Sequence, residues 1–468
     1  MKRVSTALVV LGLTSAGALQ ARDGDFVGTF GVEGREQIAF SPSLFLVTNF
    51  VSFVDVAVQN DGKLVVSATV GNTASDDIGV LRLNPNGTVD TNFGTQGQTI
   101  VGFDGGGNND DVASSVLLQP NGRIVVCGQA SGDGSVNGND FGIVRLLSNG
   151  TPDTTFSGDG KATVAFDLGP AGARNDYAVR CSLQSDGKIV AAGQAQTASD
   201  TARMAVARLN TDGSRDTGFN GSGTATVDFG PSYTQGVAFS VKSLDNGDTL
   251  VIGGVSSPAP LFSWAFARLD DEGQIDPGFG NGGIVLFDPG FASYTPIEAL
   301  DAAVLPDHSF VAVGAMLLAG GTNYDYGVFK LTPNGSLDTS WGNGGGQIIA
   351  FDLGAANTDL GVKIIEDAQG RFVIAGFSSA ATTPFTTSMV RLTADGELDP
   401  TFGIGGKLTV ASAPPPGTDF GDQGTTVALA PDGSLIVGSL AQDVSSNLLV
   451  GLAKLVGDTI FENGFENK

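Results

Sequence analysis

The sequence predicts an all-β fold: a single seven-bladed β-propeller of four-stranded antiparallel blades. Three observations predict it. A unit of roughly sixty residues recurs along almost the whole chain. Each unit reads as four short apolar runs separated by Gly-containing turns. The first copy lacks its beginning and the last copy lacks its end, so that each supplies what the other misses.

Composition agrees. Of 468 residues 69 are Gly, yet 41% are hydrophobic. That excludes a disordered polar chain, which cannot bury enough apolar surface to offset its ordering entropy. No Gly-X-Y period appears, which excludes collagen. Beyond the N-terminus no apolar run is long enough to span a bilayer, so no transmembrane segment is expected. With 49 acidic against 24 basic residues the formal charge is -25. Such a surface repels nucleic acid and anionic lipid and can attract cations; solubility alone is the plainer reason for it.

The chain opens "MKRVSTALVVLGLTSAGALQARDGDF". Two basic residues, a short apolar stretch and small residues form the pattern of a secretory signal peptide over residues 1–21, with cleavage after Ala18 or Ala21. Export places the protein outside the cell, in the periplasm or at the cell surface. Residues 22–457 form the repeat domain and 458–468 a tail, "DTIFENGFENK", which reads as a sorting signal or a repeat remnant.

The elements of a unit follow in order. The first strand is an apolar run into a turn, as in "VASSVLLQPNG". The turns are Asp61-Gly62, Asn121-Gly122, Asp186-Gly187, Asn246-Gly247, Asp307-His308, Gln369-Gly370 and Asp432-Gly433. Asn-Gly and Asp-Gly between apolar runs predict a hairpin with a type I′ turn. The second strand leaves the turn as "RIVVCG" or "KIVAAG", and a variable polar loop follows. The third strand, "FGIVRL" or "MAVARL", ends at a second Gly turn. A corner such as "LDPTFG" then leads to a β-branched fourth strand. "FGVEGREQIAF" (Phe30 to Phe40) matches "FGTQGQTIVGF" (Phe93 to Phe103) and is a fourth strand without its own first three. Placed beside the Ala453-containing strand, it completes the last blade, closes the ring and removes two sheet edges.

With its "DGKI-V-AG" turn and its "R-L-x-x-DG-x-x-D-x-x-FG" corner, the unit resembles the delta-sixty repeat family of exported bacterial proteins over Phe26 to Leu455. The resemblance implies a β-propeller and no particular catalytic activity. His308 replaces a turn Gly and Trp341 a corner Phe, and the last corner is eroded.

The corner carries a basic residue and an Asp eight apart: Arg82 and Asp90, Arg145 and Asp153, Arg208 and Asp216, Arg268 and Asp276, Lys330 and Asp338, Arg391 and Asp399. An active site needs one constellation, not six copies. A structural role is expected, the Asp accepting backbone N–H groups and pairing with the base. The corner rings Phe93, Phe156, Phe219, Phe279, Trp341 and Phe402 should be buried.

"DGSVNGND" offers Asp133, Ser135 and Asn137 with the spacing of a calcium loop, but Val144 stands where the closing carboxylate belongs. Calcium is the one cofactor the pattern suggests. "DGGGNNDD" (Asp104 to Asp111) is a second acidic cluster. Cys127 and Cys181 fall in consecutive units; an oxidising compartment permits a bridge between them, and two buried thiols are the alternative. His308 is the sole histidine, which leaves a Ser-His-Asp triad or a His metal site almost nothing to use.

Two functional classes compete. One is a binding or scaffold module, monomeric, holding an extracellular protein or glycan through the loops "TVGNTASDD", "QASGDGSVNGND", "QAQTASDTAR" and "VSSPAPLFSW". Phe262 and Trp264 in the last are candidate exposed anchors, with burial of Trp264 as the alternative. The other class is a hydrolase or lyase on extracellular glycans, with carboxylates or calcium in the central channel.

Overall fold

The structure is a computed structural model. It describes residues 22–457 apart from 42–43, 45–53, 73–74, 104–109, 132–137, 171–174, 199–200, 258–261, 292, 352, 354–357, 381–382, 413–421 and 443–446. The signal-like segment, the tail and the Asp133, Ser135 and Asn137 pattern lie outside the described residues.

Among the described residues all regular structure is β-strand. Strand β1 (Arg35–Ile38) comes first in the chain but joins the last sheet. One four-stranded sheet holds β2 (Asp55–Val58), β3 (Leu64–Asn72), β4 (Ser75–Leu83) and β5 (Gln98–Val101). The next holds β6 (Val112–Leu118), β7 (Ile124–Ala130), β8 (Asp140–Leu146) and β9 (Lys161–Val164). A third holds β10 (Asp176–Leu183), β11 (Ile189–Ala198), β12 (Thr201–Leu209) and β13 (Thr224–Val227). A fourth holds β14 (Gln235–Ser243), β15 (Thr249–Ser256), β16 (Phe262–Leu269) and β17 (Ile284–Phe287).

Strands β18 (Tyr294–Val304), β19 (Phe310–Leu318), β20 (Tyr324–Leu331) and β21 (Gly346–Ile349) precede β22 (Thr358–Glu366), β23 (Phe372–Ala380), β24 (Thr383–Leu392) and β25 (Lys407–Val410). These two antiparallel groups of four are linked by the single parallel pair Tyr324 and Thr358. The last sheet runs β26 (Asp422–Leu429), β27 (Leu435–Gln442), β28 (Leu448–Leu455) and then β1. Arg35 stands opposite Ala453 and Ile38 opposite Val450.

The turn between the first two strands of a unit is not type I′. Gly62 carries a φ of 80°, and neither Asn60 nor Asp61 is among the residues with positive φ. Gly62 N donates to Gln59 O, and Asp61 Oδ1 accepts Lys63 N. This is a type I turn closed by a left-handed residue, in which only the last position needs positive φ. His308 fills that position at a φ of 66°, a conformation His tolerates better than bulkier residues do.

The polar segments after the second strand are less loop-like than their composition suggests. Asn72 pairs with Ser75, Ala198 with Thr201 and Ala380 with Thr383, so in three of them the long strands stay paired to their ends.

The first strand of each unit lies innermost, and six of these strands carry a register shift. In β6 it falls between Ala113 and Ser115. The extra residue bends the strand and re-aims the next side chain. The partner strand must yield: a Cβ on Gly128 would lie 1.8 Å from Val112 O. Hence the Gly that ends "IVVCG".

Candidate functional site

Two ends of the sheets can be built from their residues. At one end lie the corners. Each basic residue meets its Asp within its own sheet: Arg82–Asp90 at 2.9 Å, Arg145–Asp153 at 2.8 Å, Arg208–Asp216 at 2.7 Å, Arg268–Asp276 at 2.6 Å, Lys330–Asp338 at 3.3 Å and Arg391–Asp399 at 2.8 Å. The other carboxylate oxygen accepts a backbone N–H two residues on, as Asp153 does from Thr155 at 3.1 Å. Burial raises Asp153, but Thr155, Arg123 and Arg145 outweigh it and hold the carboxyl at about 2.

The guanidinium does more. Arg82 lies 4.7 Å from the centre of the Phe93 ring, and the other four Arg corners repeat this stack. Its Nη1 then donates to the neighbouring unit: Arg82 to Ser148 O at 2.5 Å, Arg268 to Pro333 O at 2.6 Å, Arg145 to Thr211 O. The rings Phe93, Phe156, Phe219, Phe279 and Phe402 are wholly buried, and Trp341 nearly so. A second base reaches the same Asp from the first turn, as Lys63 does at 3.1 Å from Asp90 and Arg123 at 2.6 Å from Asp153. Sequence reasoning missed these, although a base directly follows the turn Gly in four units (Lys63, Arg123, Lys188 and Arg371).

Lys330 and Trp341 form the odd corner. The lysine amine pairs with Asp338. The donor to the neighbouring unit comes instead from Trp341 Nε1, 2.8 Å from Ala394 O. The indole N–H takes over the task of the guanidinium Nη1.

A second set of residues was not singled out from the sequence. Seven residues before each turn position stand Asp55, Ser115, Arg180, Ser240, Asp301, Lys363 and Thr426. A polar residue recurs there inside otherwise apolar strands, and that is the signal that marks them. They lie on the innermost strands, the six bulged ones just after the register shift. Ser240 Oγ donates to Asp301 at 2.6 Å and Thr426 Oγ1 to Asp55 at 2.7 Å. Val116 N donates to Asp55 and Ile364 N to Asp301. Lys242 Nζ lies 2.8 Å from Asp301. Burial raises Asp301, but Lys242, Lys363 and Arg180 win and hold it well below the usual carboxylate range.

The inner strands also line a cavity of about 280 Å³ bounded by Tyr177, Val179, Gln194, Gln235, Phe239 and Glu298, among others. Burial pushes Glu298 up to about 7 and Tyr177 up to about 12. Tyr177 OH donates to Gln194 Oε1 at 2.9 Å. Next to it, toward the hairpin of β11 and β12, a cleft of about 370 Å³ is lined by Thr197, Thr201, Arg203, Phe229 and Tyr233. Gln235 lines both. At the cleft Arg203 pairs with Asp228 at 2.8 Å.

The remaining sequence candidates fall as follows. Trp264 is not an exposed anchor: it is wholly buried, stacks on Phe287 and donates from Nε1 to Ala315 O at 3.0 Å. Phe262 shares its face of β16 by strand alternation, but it lies at the strand's end and is 41% exposed. Cys127 and Cys181 are joined by a disulfide between β7 and β10, in neighbouring sheets. His308 Nε2 meets Asp245 at 2.5 Å across two units. Asp110 and Asp111 are the described part of the second acidic cluster, and Asp111 accepts Phe103 N at 2.6 Å. Among the described residues no group of three or more His, Cys, Asp or Glu is arranged to hold a metal ion, and no helix is long and apolar enough to cross a membrane.

Five segments, residues 59–93, 119–156, 184–219, 311–340 and 370–402, match the family model described as "Domain of unknown function (DUF5122) beta-propeller". The recurring units are therefore β-propeller repeats. No curated protein sequence matches the chain. Among solved structures, polysaccharide lyase Uly1 is similar at 11% identity and a TM-score of 0.46, over 94% of this chain and 98% of that one. Drosophila Semaphorin 2a is similar at 10% identity and a TM-score of 0.43, over 87% and 74%. An endo-arabinase from Bacteroides thetaiotaomicron VPI-5482 follows at 10% and 0.32, over 76% and 97%. Similarity this distant says nothing of activity.

Proposed function

We propose that the chain is an exported, closed, seven-bladed delta-sixty-type propeller that serves as a binding or scaffold module. Its ligand is an extended polar molecule of the glycan class, held where the two adjoining cavities meet at Gln235. Support for the closed ring comes from β1 pairing with β28, and from Thr426 of the last sheet donating to Asp55 of the first. Export is supported by the N-terminal pattern and by the Cys127–Cys181 disulfide, a bond that persists in oxidising compartments.

The observation that carries the binding reading is the lining of the two cavities. Tyr177, Phe229, Tyr233 and Phe239 offer ring faces, and Gln194 and Gln235 offer amides. Aromatic walls with a few polar groups are what a binding site needs. The outer cleft is built partly from the "QAQTASDTAR" hairpin, one of the variable segments. Glycoside hydrolysis ordinarily needs two facing carboxyls. Among the described residues Glu298 is the carboxyl lining the inner cavity, and Asp228 in the cleft is already paired with Arg203.

The test is a glycan array and calorimetry on residues 22–468, with and without calcium, beside a turnover assay on every glycan that binds. Binding without turnover, weakened at least tenfold by Tyr233→Ala, is expected. A second reading, a glycan-cleaving enzyme, rests on Glu298, whose pKa near 7 suits a general acid. Turnover that disappears in Glu298→Gln would establish it and overturn the binding reading.

A further inference from the structure

The polar groups that face one another from the inner strands carry more positive than negative charge. Arg180, Lys242 and Lys363 stand against Asp55 and Asp301. In a chain of formal charge -25 this reverses the overall balance. Both carboxylates are already engaged. Asp55 accepts from Thr426 Oγ1 at 2.7 Å and Val116 N at 3.0 Å. Asp301 accepts from Ser240 Oγ and Lys242 on one oxygen and from Ile364 N on the other. Arg180 and Lys363 approach them only to 3.7 and 3.6 Å, beyond hydrogen-bond length.

Arg180 is only 5% exposed, and its Nε, buried from solvent, has no acceptor. A buried guanidinium N–H without a partner is rare and costly. Since Nη1 faces Asp55, the edge that carries Nε is the one left for a ligand.

We infer that this ring binds a small planar oxyanion, of the carboxylate or nitrate class, between the Arg180 guanidinium and the Lys363 ammonium. The planar fork of Arg matches two oxygens held in one plane, and Lys acts as the opposing point charge. Burial and the Arg180 charge draw Lys363 down to about 8, as befits an ammonium short of an anion. Lys363 and Lys242 keep 17% and 24% of their side-chain surface, so a small solute can reach these two side chains.

The test uses residues 22–468 dialysed into sodium fluoride and titrated at constant ionic strength with sodium formate or sodium nitrate. Thermal unfolding should rise saturably with both, at millimolar concentration, and saturating nitrate should abolish the calorimetric heat of formate binding. Lys363→Met, folded by circular dichroism, should weaken both at least tenfold. If that variant does not fold, Arg180→Lys keeps the charge, removes the fork and should weaken formate by a similar factor. Equal stabilisation by every sodium salt, formate heat that survives nitrate, or unchanged affinity in the folded variant overturns the proposal.

Discussion

At the corner end of the sheets one chemistry is written six times; at the hairpin end an Asp that accepts a backbone N–H after the fourth strand recurs at Asp111, Asp176, Asp359 and Asp422, while the cavity linings differ from unit to unit. Every corner sets a base on an Asp and buries an aromatic ring beneath it. Among the described residues the hairpin end offers a cleft and a cavity with Gln235 and Glu298 at positions where no other unit has the same residue. The contrast separates what folds the molecule from what distinguishes it. A device present in six of the units holds neighbouring sheets together; a site that appears once is free to be specific.

The largest effect should come from breaking a corner. Arg391 is fully buried, and it donates to Asp399, Asp23, Thr401 Oγ1 and Gly457 O. Arg391→Ala takes the nearest base from two buried carboxylates, leaving Arg371 at 3.6 Å from Asp23 and 3.9 Å from Asp399, and should cost about 3 kcal/mol in urea unfolding. The ion pair of Arg203 and Asp228 at the hairpin end is as short, at 2.8 Å, but the side chains are 45% and 56% exposed. Arg203→Ala should cost less than about 1 kcal/mol. Equal losses in the two variants would erase the distinction between the ends.

A smaller effect probes the hairpin end by pH. Glu298 is raised from 4.5 to about 7 by burial. A group raised on folding contributes its full stability below the unfolded pKa and loses it as pH rises through the folded one. Stability should therefore fall between pH 4.5 and 7 and level off above. Glu298→Gln should leave pH 4 stability unchanged and raise stability at pH 8 by on the order of 2 kcal/mol. The same gain at both pH values would mean that burial of the charge is not the cause.

Much of this was legible in the sequence. The Gly turns, the corner "LDPTFG" and the orphan strand at Phe30 to Phe40 lead to the four-stranded units and to the pairing of Arg35 with Ala453. Local rules suffice there, because the base, the Asp and the backbone N–H it accepts all fall within a dozen residues, although the guanidinium then reaches the neighbouring unit. The turn type was missed because Asp-Gly serves two hairpin geometries, which differ in the φ of the Asp and by one residue in loop length. Trp264 was ambiguous because alternation gives its face but not its depth. The inner polar positions were visible as a period but not as a cluster: Arg180 and Asp55 lie 125 positions apart in the chain, and only the packing of separate sheets brings them to 3.7 Å. The cavity at Glu298 was not legible at all, since its walls come from three sheets.

The smallest effect tests whether the odd corner is a true equivalent of the other five. Trp341 is 4% exposed, its ring lies edge-on to Phe372, and its indole N–H holds Ala394 O. Trp341→Phe removes that donor while Lys330 stays on Asp338. The loss should be about 1 kcal/mol from the bond left unmade. Lys330→Arg alone should also destabilise, because the added guanidinium arrives where the indole already occupies the carbonyl. The double variant rebuilds the arrangement of Arg82, Phe93 and Ser148 O. It should recover wild-type stability within roughly 0.5 kcal/mol, giving a coupling of at least about 1 kcal/mol in the double-mutant cycle. Strictly additive losses would show that Trp341 fills space in this corner and does not replace the arginine.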